Sequence, residues 1–399
     1  MTRDIVCFSH LRWDFVYQRP NHLMARAADD RRVYFVEEPR FESGGKARLR
    51  RVVCGGVTVV TPELPEPEHA TATLADLMDG LVEGELLERP ILWYYTPMAL
   101  PWTRHLPASL TVYDSMDFLA GFLGAPPELG VLEGELLSRA DVVFTGGAQL
   151  HRRMASRHSA TYLFPSSVDV VHFAEARRPQ DEPADQAAIP HPRIGYAGVI
   201  DERIDLDLVH DVARRRPGWQ IVLLGPIAKI DPRSVPAAEN IHQLGIKPYA
   251  DLPAHLSGWE VGWMPFARND ATRYISPTKT PEYLAAGLGV VSTSITDVVD
   301  PYGRLGLVEV ADDADQTIAA IERVLAQDPE PRRRLADSFL ADRSWDTTWT
   351  QMNVVLEDAL LHRGDQIAES AWTPAVHVSP LDRSASRAAV GASGQADTN

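Results

Sequence analysis

Short apolar runs rich in β-branched residues alternate with stretches of helical spacing along the first half of the chain. Ile5–Ser9 comes before a helical stretch at Arg19–Ala28, and Val142–Thr145 before one at Gln149–His158; Arg32–Glu37, Pro90–Tyr95 and Leu110–Asp114 read as further strands. Continuous apolar strands separated by helical stretches predict an α/β fold with parallel sheets. The pattern restarts at Arg193–Ala197 and continues through Gln220–Leu224, Ile241–Leu244, Val261–Pro265 and Val290–Thr293. Between the halves, residues 174–192 are rich in Pro, Asp, Glu and Ala without apolar period, which suits a surface linker. Trp345, Trp349, Met352, Val355, Leu356 and Leu360 share one helical face behind Ser344 as N-cap, and from about residue 373 large apolar residues nearly vanish. The expected organisation is therefore one domain over 1–185, a second over 186–343, a packed helix over 344–365 and a disordered tail over 373–399.

Composition agrees with two cores: 399 residues at 45% apolar exceed what one ordinary core holds. Lys and Arg number 39 against 55 Asp and Glu, a net charge of −16, which argues against a nucleic-acid partner. Only Cys7 and Cys54 are present, so no disulfide framework is implied. The first residues lack the basic and apolar runs of a signal peptide, and no apolar run is long enough to span a bilayer. The expectation is a cytoplasmic protein, with peripheral attachment to the inner face of the membrane suggested only by its aromatic and basic residues.

One segment carries most of the chemistry: Ser276, Pro277, Thr278, Lys279, Thr280, Pro281 and Glu282, running on to Gly287. Thr280 suits the cap of a helix that starts at Pro281 and stops before Gly287. A helix N-terminus beside Lys279 suits a diphosphate, and the Glu282 carboxylate suits ribose hydroxyls. Asp205 and Asp207 form an Asp-x-Asp pair of the kind that holds a divalent cation, but they stand where a helix should begin, so capping is the stronger reading and no metal is expected. Gly195, Gly198 and Asp201 miss the dinucleotide fingerprint, and no nucleophile elbow or zinc motif occurs.

In order along the chain, RIGYAGVIDERIDLDLV, RPGWQIVLLGP, ENIHQLGIKPYADLPAHLSGWEVGWMPF, SPTKTPEYLAAGLGVVST and SWDTTW resemble the second domain of family 4-like glycosyltransferases of the GT-B fold. The opening SHLRWDFVYQRPNHL is similar to that of bacterial glycosyltransferases of the teichuronic acid synthesis type. The resemblance implies two Rossmann-like domains facing a cleft, with the last helix packing back on the first. It also implies a nucleotide-sugar co-substrate, most simply a UDP-sugar, and a sugar or lipid-linked acceptor of the cell envelope or of an exopolysaccharide. Gly198, Arg203 and Gly225 then face the diphosphate, Ile246, Lys247 and Tyr249 the base, and Lys279 and Glu282 the phosphate and ribose. Tyr274 stands where many relatives carry a first glutamate, so the sugar contact departs from the family pattern.

Deprotonation of an acceptor hydroxyl calls for a carboxylate or histidine of the first domain. Asp114 and Asp117 at the end of one strand, and His10 after another, occupy suitable positions, and Arg12, Trp13 and Arg19 suit an acceptor surface. A GT-B epimerase acting on a UDP-sugar, and a non-catalytic nucleotide-sugar-binding subunit, are the alternative readings.

Overall fold

The computed structural model describes residues 3–371. The expected tail over 373–399 lies outside them. Up to Leu360 the chain is one compact unit, and it contains both sheets.

The first sheet comprises β1 (Ile5–Ser9), β2 (Val33–Glu37), β3 (Arg40–Phe41), β4 (Arg48–Cys54), β5 (Val57–Leu64), β6 (Ile91–Tyr94), β7 (Leu110–Ser115), β8 (Val142–Thr145) and β9 (Thr161–Leu163). Its order is β3-β5-β2-β1-β6-β7-β8-β9, with β4 on β5. Every pairing is parallel except β4 with β5. The strand order across this sheet reverses between the parallel neighbours β1 and β6, which opens a crevice at their carboxyl ends.

The second sheet is wholly parallel: β10 (Arg193–Ala197), β11 (Gln220–Leu224), β12 (Ile241–Gly245), β13 (Val261–Met264), β14 (Gly289–Ser292) and β15 (Glu309–Val310), in the order β12-β11-β10-β13-β14-β15. The central strands β1, β2, β10, β11 and β13 are buried along their whole length, as continuous apolar runs require when both faces are covered.

The last helix, Trp345–Ala371, begins where expected: Ser344 Oγ accepts from the Thr347 amide at 3.1 Å. Trp345, Met352 and Leu356 pack into one core cluster with Ile5, Cys7, Trp93 and Phe144 of the first sheet. The helix thus starts after the second sheet and covers the first. Among the described residues no helix is long and apolar enough to cross a membrane.

Arg48, Arg50 and Arg51 belong to β4, where Arg48 and Arg50 reach Glu63 at 2.6 and 3.3 Å. Gly55 and Gly56, both at positive φ, make the tight turn into β5. Segment 174–192 is not a free linker: Ala176, Gln186 and Ile189 are buried, and the Gln186 side chain accepts from Trp259 Nε1 at 2.9 Å and donates to the His255 carbonyl at 3.0 Å. Its scattered apolar positions and one glutamine suffice to dock it, which an absence of period hides.

Candidate active site

Residues Trp13–Tyr17, just after β1, face the ends of β10 and β11 across a cavity of about 440 Å³. Its wall on the second-sheet side comprises Ala197, Gly198, Leu224, Gly225 and Pro226; Ile246–Tyr249, Leu252, Lys279 and Glu282 complete it. Two strand-end turns meet there. The Gly198 amide donates to the Leu224 carbonyl at 2.8 Å, and a Cβ on Gly225 would overlap the Gly198 carbonyl oxygen, so this approach of backbones requires glycine.

Lys279 opens the short helix Lys279–Ala285, whose cap is Thr278 and not Thr280; Pro281 is its third residue. Thr280 is buried instead, its hydroxyl 3.6 Å from the Met264 sulfur. Gly287, at φ +81, ends the helix as expected. Tyr283 fixes the helix against β10 by accepting from the Ala197 amide at 2.7 Å, and a Cβ on Gly262 would come 2.5 Å from the Tyr283 ring. Lys279 Nζ donates to Glu282 Oε2 at 2.8 Å, so the two expected donor ligands hold each other. With side chains three residues apart on a helix this pairing is local chemistry.

A smaller cavity of about 100 Å³ adjoins the first, and both are lined by Val16, Gly198 and Lys279. Asp117 and Arg19 line it from the first sheet, and Arg203, Ser276, Pro277 and Thr278 from the second. Arg203 is fixed by Asp201 at 2.7 Å and lies over the Phe122 ring, 5.3 Å from its centre; Lys229 lies over the same ring at 4.1 Å. Burial raises the Asp117 carboxyl above the ordinary range, while Arg203 and Lys229 pull it down. Asp117 is therefore a carboxylate of increased basicity facing two cations. Lys229 was not singled out in the sequence; it follows β11 by several residues, and only the tertiary fold brings it to this ring.

The other candidates divide between the cavity walls and positions away from them. Asp114 is fully buried, its carboxylate bound by Arg19 at 3.0 Å, and it lines neither cavity, which corrects its reading as a base. Arg19, 2% exposed, also donates to the Phe164 carbonyl at 2.7 Å, so its guanidinium is engaged internally rather than presented to an acceptor. Arg12 reaches Glu37 at 3.0 Å and the Glu38 carbonyl at 2.6 Å and shapes the turn after β2; it lines neither cavity of the cleft. Trp13 lines the larger cavity, beside the glycine turns, while its ring packs edge-on against Phe35 at 5.0 Å. Lys247 lines the same cavity with its ammonium 2.7 Å from Asp185. Tyr274 packs edge-on against Phe118 at 5.0 Å and lines neither cavity. Asp205 accepts from the Leu208 amide at 2.9 Å, the capping role expected of it.

His10 also lines neither cavity. Its Nδ1 is buried without a partner, and burial followed by the charge of Lys229 lowers its pKa to about 4. His22 stacks on Trp345 at 4.6 Å and is lowered to about 2, first by burial, then by Arg26, Lys279 and His172. Below its ordinary 6.5 the unfolded chain takes up a proton at His22 and the native chain does not, so stability falls with pH below that value and is flat above it. His22→Phe keeps the stack and removes the site. Urea unfolding of the variant should show a loss between pH 7 and pH 5 smaller than that of the parent by about 2 kcal/mol. An identical pH dependence contradicts the assignment.

No protein-family model matches the chain. A Bacillus subtilis (strain 168) protein described as a teichuronic acid biosynthesis glycosyltransferase, TuaH, is 23% identical over 301 residues, covering 70% of this chain and 75% of the relative. Among solved structures, sucrose-phosphate synthase of Thermosynechococcus elongatus matches with a TM-score of 0.68 at 15% identity, covering 90% of this chain and all of that one. HepE of Anabaena in complex with UDP and glucose matches with a TM-score of 0.63 at 14% identity, over 89% of this chain and all of that one. An α,α-trehalose 6-phosphate synthase of Burkholderia multivorans matches with a TM-score of 0.62 at 14% identity, over 93% of this chain and all of that one. The fold is GT-B.

Proposed function

We propose that this GT-B glycosyltransferase moves a sugar from a UDP-sugar to an acceptor of the cell envelope or of an exopolysaccharide, without a metal. The observation that carries the reading is the placement of Asp117 on the first-sheet side of a cavity that Lys279 and Arg203 line from the second. In this reading the larger cavity takes the nucleotide: Ile246, Pro248 and Leu224 offer apolar surface to the base, and Glu282 accepts from the ribose hydroxyls. The diphosphate lies over the Gly198 and Gly225 turns, where it draws Lys279 toward itself from Glu282. The helix at Lys279 has only seven residues, so the side-chain charges, rather than a macrodipole, supply most of the attraction.

Transfer then proceeds by attack of an acceptor oxygen on the anomeric carbon. Asp117 takes the hydroxyl proton, the bond from that carbon to the β-phosphate oxygen breaks, and Lys279 and Arg203 stabilise the charge left on UDP. The TuaH resemblance supports an envelope polymer as acceptor, and the UDP and glucose complex of HepE supports the donor. Calorimetric titration of the full chain with UDP tests donor binding. Lys279→Met should weaken it tenfold or more, about 1.4 kcal/mol. UDP affinity unchanged in the variant would remove Lys279 from the site.

A further inference from the structure

The first sheet carries a separate cavity of about 400 Å³, away from the lobe-to-lobe cleft. Phe8 and Ser9 at the end of β1, Glu38 and Phe41 after β2, and Thr96 after β6 meet there. This is the crevice where the strand order reverses, the position at which open α/β sheets receive ligands. Ser9 directly precedes His10, so the cavity opens on the same sheet edge as the loop that lines the nucleotide cavity.

Its lining combines aromatic surface with carboxylates. Phe41, 48% exposed, supplies the aromatic face, and Trp102 and Phe8, packed edge-on at 5.4 Å and buried, form the floor beneath it. Glu38 and Glu128 contribute the charge, and no Lys, Arg or His stands among the described residues that line it. Aromatic faces pack on the C–H faces of a sugar ring, while carboxylates accept from its hydroxyls. An anionic ligand would meet these two like charges, while the cation beside them, Arg12, is held by the Glu37 carboxylate and the Glu38 carbonyl.

We propose that this cavity is an acceptor subsite for a neutral sugar ring, and that it discriminates against uronate or phosphorylated rings. The proposal rests on the glycosyl-transfer reading above and adds the charge class of the acceptor to it. The test is saturation-transfer difference NMR on the full chain with saturating UDP, using neutral methyl glycosides of glucose, galactose and mannose and the corresponding methyl uronates. At least one neutral glycoside should receive saturation at least fivefold above its matched uronate. Phe41→Ala and Glu38→Gln change exposed side chains, and each should cut that signal fivefold or more, with UDP affinity and thermal midpoint unchanged. Uronates bound as well as neutral glycosides, no glycoside bound at all, or signals unaffected by both substitutions would each overturn the proposal. Failure of UDP itself to bind would instead defeat the donor assignment, and the two failures are read independently.

Discussion

Arg19→Met is expected to destabilise the protein by about 3–5 kcal/mol, the usual result of stranding a buried charge. Arg19 and Asp114 are 2% and 0% exposed, and the guanidinium meets the carboxylate at 3.0 Å while also donating to the Phe164 carbonyl. Methionine fills similar volume but leaves Asp114 without its counter-charge. Burial already raises the Asp114 carboxyl, and Arg19, ahead of Tyr95, opposes that shift, so the variant has to bury a carboxylate without a counter-charge or protonate it. Adding Asp114→Leu should recover part of the loss, because a matched apolar pair leaves no isolated charge. Urea unfolding at neutral pH measures both; a loss below about 1 kcal/mol in the single variant would contradict the pairing.

Asp117→Asn is expected to lower kcat by about 10²–10⁴-fold with UDP bound no more weakly, the range for losing a positioned general base. The amide keeps the shape of the side chain but accepts no proton. Since burial holds the Asp117 carboxyl above its ordinary range, the rate in the parent should climb with pH through that raised value. Asp114→Asn should act mainly on stability, which separates the two aspartates. A variant at Asp117 with full turnover would assign the proton transfer to another group.

Strands β1, β2, β6, β7 and β8 of the first sheet and β10 to β14 of the second were legible because apolar runs such as Gln220–Leu224 are short, continuous and bounded by turn residues. The last helix was legible for the same reason in another period: Trp345, Met352 and Leu356 face one way, and they do meet the first sheet. What the sequence concealed was partnership. Lys279 and Glu282 read as two independent ligands, yet three residues of helix bring them to 2.8 Å of each other. Asp114 and Asp117 read as equivalent, being on one strand end; alternation turns Asp114 inward to an arginine 95 residues away, while Asp117 lies past the strand and reaches the cavity. The hairpin of β4 and β5 was hidden by its arginines, which face Glu63 and Glu85 across an edge where charge is tolerated.

The most direct test of the central claim is UDP formation by the full chain from a panel of UDP-sugars, with a membrane or polysaccharide extract as acceptor source and EDTA present. Acceptor-dependent release of UDP is expected from at least one donor, unchanged by the chelator and slowed about 100-fold or more in Asp117→Asn. Release from none of the donors, or release that stops when divalent cations are removed, would contradict it.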